Sequence, residues 1–331
     1  MNNTFSENDL LQIARRFDRK AESVEFLRKS HNYTYKVICS NNSFILRISS
    51  DEHRTINQVL SEIDFQLYLY ENGASVVSPL FTCDDEKSFV VVINKHKYIA
   101  AAFSLASGLN WDNRPSDCTP ERLINTGKEL GKIHRLSMKY NPEHVGKRRL
   151  WNESQHLIKA YELFRSYDEK LYSDFVEYMD YMNKLPKDNH SFGLTHGDYL
   201  GSNYMIDENN HVTVFDFDEC EYSWYVADIA ICMHCTLIGP DPTKLESKTE
   251  LAEVMLYNLA VGYISENKLS KDMIMNLQLL FKMRDFIYFS TILEWENVGE
   301  WGKNFISTCL DRILNKKPFL EFDMSQTLNL L

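Results

Sequence analysis

"LTHGDYLGSNYMIDENNHVTVFDFDECEY", residues 194–222, gathers a histidine, an asparagine and a spaced series of carboxylates. It reads either as a metal-binding catalytic segment or as a polar loop running into an ordinary strand. Within it, "HVTVFDFDE" (211–219) alternates as a strand does, which predicts Asp216 and Asp218 on one face and Phe215 and Phe217 on the other. Carboxylates two residues apart on a strand begin roughly 6–7 Å apart. Buried without partners, each costs several kcal/mol, so such a pair calls for a metal or water nearby. A solvated strand end is the alternative on this spacing alone. Upstream, Asn203 follows Asp198 by five positions and offers a neutral carbonyl oxygen, a hard ligand suited to Mg²⁺ beside a carboxylate. A short hairpin, "YMIDENNHVTVFD", then returns the chain to Asp216. Phosphoryl transfer needs this kind of set, with a cation to neutralise phosphates and a separate carboxylate to orient the acceptor hydroxyl and take its proton.

The bulk composition is consistent with an enzyme of that kind. A chain of 331 residues fits two unequal lobes, and 44% hydrophobic with 25% charged residues is the balance of a folded soluble protein. The 36 basic residues against 47 acidic ones leave a net charge of −11, which argues against a nucleic-acid partner. The start "MNNTFSENDLLQIARRF" has no signal-peptide pattern and no long apolar run occurs, so a cytoplasmic protein with no membrane partner is expected. The 7 cysteines are odd in number and scattered, as reduced thiols are. Cys232 and Cys235 have CxxC spacing but sit in "ADIAICMHCTLI", which reads as a buried helix with no second pair to complete a zinc site.

Along the chain, Ser6 before "ENDLLQIARRF" predicts a capped first helix. "YTYKVICS" and "SFILRISS", joined by "NN", predict an antiparallel hairpin carrying Arg47. "TINQVLSEIDFQLYLYENG" has three-and-four apolar spacing and predicts a helix carrying Glu62 and ending at Gly73. "VVSPLFTC", "SFVVVINK" and "KYIAAAFSL" complete a sheet of about five strands. From Thr119 the pattern turns helical, and the glycines of "TPERLINTGKELGKIHRLSM" predict close helix packing. The expected organisation is an α+β amino lobe over residues 1–103 and a larger, mostly helical carboxyl lobe over residues 104–331.

"HGDYLGSN" followed by "FDFDE" and "ADIA", with "TGKELGKIHRLS" upstream, resembles the aminoglycoside phosphotransferase and choline kinase family, which also includes homoserine kinase-like proteins. The resemblance spans most of the chain and implies a two-lobed, protein-kinase-like fold. It implies Asp198 as catalytic base, and Asn203 and Asp216 as Mg²⁺ ligands. Asp218 is left as a ligand of a second Mg²⁺, an acceptor contact or a solvated group. His196 and Asp228 are expected to brace the catalytic loop. In the amino lobe, Arg47 and Glu62 occupy the places of the phosphate-binding cation and its helix carboxylate, with arginine standing where the family usually has lysine. At an effective dielectric near 20, such a pair at about 4 Å is worth about 4 kcal/mol before desolvation. A second departure is the glycine-free "RKSHNYTYKV", so Ser30, His31 or Asn32 must contact phosphates through side chains, or the nucleotide binds less closely. The adenine is expected near Phe103 to Leu105.

The implied reaction moves the γ-phosphate of ATP or GTP to a small-molecule hydroxyl: an aminoglycoside, an amino alcohol such as choline, or a homoserine-like acceptor. Asp285, Glu294, Trp295 and Glu296 are candidates for holding a cationic acceptor, while Arg148, Arg149 and Arg284 suit a carboxylate. The competing readings are a non-catalytic nucleotide-binding module, on account of the missing glycines, and a protein serine/threonine kinase.

Overall fold

The computed structural model describes residues 4–110, 118–142 and 148–331. The chain divides into two compact units. The first comprises Met1–Ser107, Tyr140–Arg148 and Thr213–Asp218, and the second the remainder. This division differs from a single break after residue 103, because later segments bond back to the first unit. Val214 exchanges backbone hydrogen bonds with Ser75 and Val77, Tyr140 donates to Asp64, and Arg148 donates to the carbonyl of Gln58.

The first unit opens with helix α1 (Glu7–Phe17), where Ser6 and Asp9 cap each other's backbone N–H. Strands β1 (Ala21–Lys29), β2 (Asn32–Cys39) and β3 (Ser43–Ser50) precede helix α2 (Ile56–Glu71), and β4 (Pro79–Leu80), β5 (Phe89–Ile93) and β6 (His96–Ser104) follow it. Helix α2 starts at a Thr55–Gln58 capping box and is followed by Gly73 in the left-handed region. The sheet runs β1-β2-β3-β6-β4, with β5 also on β6, so it has six strands rather than about five. The added strand is β1, whose "AESVEFLRK" shows no alternation because Phe26 and Leu27 point outward. Val37, Leu46, Ile48 and Ala100 are fully buried beneath α1 residues Ala14 and Phe17.

The second unit contains β7 (Leu109–Asn110), helices α3 (Pro120–Ser137), α4 (Gln155–Tyr167) and α5 (Glu169–Lys184), then β8 (Phe192–Thr195) and β9 (Tyr204–Ile206). Strand β10 (Val212–Val214) begins in this unit and ends in the first, and β11 (Glu221–Trp224) pairs antiparallel with β8. Helices α6 (Val226–Ile238), α7 (Thr249–Ile264), α8 (Lys271–Met275), α9 (Leu277–Leu293), α10 (Glu300–Leu314) and α11 (Ser325–Leu330) complete it. The expected close packing is the crossing of α3 on α7. A Cβ at Gly127 would overlap the carbonyl of Leu259, and one at Gly262 the carbonyl of Ile124.

All seven cysteines are free thiols; six are buried and Cys83 is exposed. Cys232 and Cys235 lie within the fully buried α6. No helix among the described residues is long and apolar enough to cross a membrane.

Candidate functional site

In the second unit, the Thr195–Glu221 pairing of β8 with β11 delivers the chain into His196-Gly197-Asp198. Gly197 has φ of +78°, and a Cβ there would overlap the carbonyl of Glu219, so this turn needs glycine. The loop is held from α6. Asp228 is fully buried and accepts the backbone N–H of His196 at 2.7 Å and of Gly197 at 2.9 Å. His134 of α3 contacts the same carboxylate at 3.0 Å and Tyr263 of α7 through its other ring nitrogen, also at 3.0 Å. A carboxylate that receives two backbone donors and an imidazole is a rigid anchor for the loop it holds.

Asp198 is about one-third exposed, so its carboxylate faces out of this braced loop. Asn203 donates from Nδ2 to both the carbonyl and Oδ2 of Asp198, each at 2.9 Å, which leaves its Oδ1 turned away as an oxygen donor. His196 Nδ1 accepts the N–H of Asp198 at 3.2 Å. Arg284 of α9 lies 3.8 Å from Asp198 Oδ1, with its guanidinium 5.2 Å from the centre of the Tyr288 ring. Burial opposes its charge, but Cys235, Tyr288 and Asp198 together raise the guanidinium above its ordinary value. Its place beside Asp198 was not legible from "KMRDFIYF", where it is one of three neighbouring charges on a largely apolar helix.

In the first unit, Arg47 and Glu62 form a buried bidentate pair at 2.7 and 2.6 Å. Burial opposes the charge on Arg47, yet Glu62 raises the guanidinium above its ordinary value. The predicted strand through "FDFDE" stops at Val214. Asp216 takes a left-handed φ of +66°, and residues Phe217–Glu219 form a 3₁₀ turn. Asp216 and Asp218 are therefore not neighbours on one strand face, a correction of the alternation expected for this stretch. Asp216 is partly exposed, 2.6 Å from Arg28 and 3.8 Å from Arg47. Asp218 is buried and closed by donors: Arg54 at 3.0 Å, and His53 and Asn32 at 3.2 Å each. It is therefore not a solvated carboxylate, and three of its acceptor sites are taken. Asn32 is thereby committed to Asp218. His31 is exposed and stacks on His53 with centroids 4.8 Å apart, and Ser30 is exposed in the same turn. Phe103 is buried in β6 with Arg47 5.1 Å from its ring, and Leu105 is exposed.

Asp218 also yields a pH prediction. Burial raises its carboxyl, but the His53 hydrogen bond, Arg47 and Arg54 prevail and hold it well below the usual carboxylate value. An unfolded aspartate titrates near pH 3.9, so this contribution to stability is complete above about pH 4 and is lost as pH falls further. Asp218→Asn is expected to lower the melting temperature at pH 7 by several degrees and to flatten the decline below about pH 4. Melting curves of both proteins between neutral and acid pH check this, and parallel acid limbs would reject it.

The acceptor candidates divide differently from expectation. Asp285 is buried and spent on Arg312, which it meets through both oxygens, and on His234 at 2.9 Å. Glu294 caps the end of α9 and pairs with Lys159. Trp295 and Glu296 are exposed, with Trp295 6.5 Å from Trp301. Arg149 is taken by Glu219 and Glu221, and Arg148 by the backbone carbonyls of Gln58 and Asp218. Sequence reasoning missed Arg28, His53, Arg54 and the role of His134. A lone histidine on the glycine-lined face of α3 was a usable signal for a buried partner, whereas Arg28 lay in a stretch without periodicity.

The model of the phosphotransferase enzyme family matches residues 23–247. The amicoumacin kinase of Bacillus subtilis (strain 168) is 26% identical over 324 residues, 96% of this chain and 95% of that protein. Among solved structures, an amicoumacin kinase in complex with AMP-PNP and Ca²⁺ superposes with a TM-score of 0.86 at 21% identity, covering 98% of both chains. A microcompartment-associated aminopropanol kinase gives 0.68 at 19% identity, covering 93% of this chain and 97% of that one. A spectinomycin phosphotransferase in complex with ADP and spectinomycin gives 0.60 at 13% identity, covering 96% of both. The fold is the kinase-like α+β fold that the motifs imply.

Proposed function

The chain belongs to the phosphotransferase enzyme family and is a small-molecule kinase; on that premise we propose that it transfers the γ-phosphate of ATP or GTP to a hydroxyl of a small molecule, with Asp198 as the base. The observation that carries this reading is the Asp198 loop. Its backbone is fixed by the buried Asp228, its carboxylate is oriented by Asn203, and it remains partly exposed to meet a hydroxyl. A base held this way serves as a positioned proton acceptor, and positioning is most of what phosphoryl transfer asks of a protein.

The oxygen donors suit a hard divalent cation. Asn203 Oδ1 and the accessible carboxylate of Asp216 are the groups that would hold Mg²⁺, and the more enclosed Asp218 is the further candidate. Such a cation supplies charge neutralisation at the phosphates. Arg47, kept charged by Glu62, is the fixed cation proposed for phosphate oxygens. Phe103 and Leu105 remain the proposed surroundings of the adenine.

Amicoumacin heads the proposed acceptors, since the Bacillus subtilis relative spans nearly the whole chain. Arg284 beside Asp198 favours an acceptor that carries an anionic or strongly hydrogen-bond-accepting group near its hydroxyl. Nucleoside diphosphate release should be measured with Mg-ATP and Mg-GTP against amicoumacin, an aminoglycoside, an amino alcohol and homoserine. Mg²⁺-dependent release with one of them is the expected result. Nucleotide-induced thermal stabilisation without turnover on any acceptor would instead favour the non-catalytic module.

A further inference from the structure

We propose that Arg28 is this chain's mobile phosphate-binding group: it takes over the task of the absent glycine-rich loop, exchanging its contact with Asp216 for one with nucleotide phosphate. The inference rests on the phosphotransferase reading above and concerns residues of the first unit alone.

Arg28 sits next to an irregularity in the β1–β2 ladder. The register shifts between Phe26 and Arg28, leaving Leu27 as an extra residue, and Arg28 pairs with Thr34. A bulge re-aims the side chain beside it, and here that side chain reaches Asp216 Oδ2 at 2.6 Å across 188 positions of sequence. The turn that follows is not free to fold over an anion by its backbone. It contains no glycine, Asn32 ties it to Asp218, and His31 is stacked on His53. Arg47 is equally fixed, with both terminal nitrogens committed to Glu62.

Arg28 differs from Arg47 in its freedom. Its side chain is 43% exposed, and Asp216 is its one acidic partner among the described residues. An exposed pair of this kind exchanges partners readily. Asp216 is itself held in the left-handed region, a conformation that costs energy and recurs where function requires it. A cation arriving alone must compete with Arg28 for Asp216. A cation arriving with nucleotide brings phosphate oxygens that receive the displaced guanidinium, so charge stays balanced through the exchange. Arg28 therefore opposes bare metal and favours metal–nucleotide.

The test measures binding rather than turnover. Free Mn²⁺ is titrated by electron paramagnetic resonance without nucleotide, and a non-hydrolysable ATP analogue is titrated calorimetrically with Mn²⁺ present. Both are done for wild type, Arg28→Gln and Arg28→Lys. Arg28→Gln is expected to bind Mn²⁺ alone about threefold more tightly and the Mn²⁺–analogue about tenfold more weakly, with Arg28→Lys between it and wild type. These opposite signs are the signature of exchange, because a merely structural arginine shifts both affinities the same way. Affinities that move together, or that both stay within about twofold, overturn the proposal. Phosphotransfer by wild type alongside unchanged affinities in Arg28→Gln overturns it alone. Failure of wild type to bind any nucleotide overturns both it and the reading it rests on.

Discussion

Asparagine in place of Asp198 is expected to lower kcat by about 10²- to 10⁴-fold while leaving nucleotide affinity within about threefold of wild type. The substitution preserves volume and keeps an oxygen to accept the Asn203 Nδ2 hydrogen bond. The loop backbone is untouched, because its anchors run from His196 and Gly197 to Asp228 rather than through the Asp198 side chain. What disappears is the capacity to take a proton from the acceptor. Steady-state kinetics on the acceptor found in the panel, together with nucleotide titration, separate the two effects. A variant whose kcat stays within about fivefold would remove Asp198 from the role of base.

The second large effect is on stability. Glu62→Ala is expected to destabilise the first unit by about 3–5 kcal/mol, because it removes both hydrogen bonds of the buried Arg47 guanidinium and leaves it only the more distant Asp216 at 3.8 Å. Arg47 Nε already has no hydrogen-bond partner, and Asp216 lies beyond hydrogen-bond distance. The double replacement Arg47→Met with Glu62→Leu removes both charges and is expected to recover most of that loss, since a buried pair contributes little over well-packed apolar groups. It is not expected to recover nucleotide affinity. Denaturant midpoints of the three proteins, with nucleotide titration of the double variant, check both halves. A Glu62→Ala protein as stable as wild type would mean that Arg47 reaches solvent or another anion with ease.

The features legible in the sequence are those written in short-range chemistry. The β2–β3 hairpin, the Ser6 cap of α1 and the contact of Asn203 with Asp198 lie in contiguous stretches whose spacing carries the geometry. The features that escaped depend on which distant group a charge meets. "AESVEFLRK" lacks alternation, so β1 and its bulge left no trace, and with them went Arg28's reach to Asp216. The alternation of "FDFDE" misled for a related reason. Aspartate tolerates the left-handed region, so the residue that ends the strand looked like one that continues it. Asp218 and Asp285 share one history: both read as available carboxylates, and both are occupied by side chains from other elements, Arg54 with His53 for the first and Arg312 with His234 for the second. Residue type announces the chemistry a side chain can do, but only packing says whether it is already doing it.

The distribution of the seven thiols has a practical use. A maleimide fluorophore would label the native chain at a single address, Cys83, with no cysteine removed by mutagenesis. That address lies in the unit carrying Arg28, Arg47 and Glu62, so the dye would sit on the unit in which the nucleotide-dependent exchange is proposed. The six buried thiols become reactive only when the chain opens, and label stoichiometry rising from one toward seven then counts unfolded molecules directly.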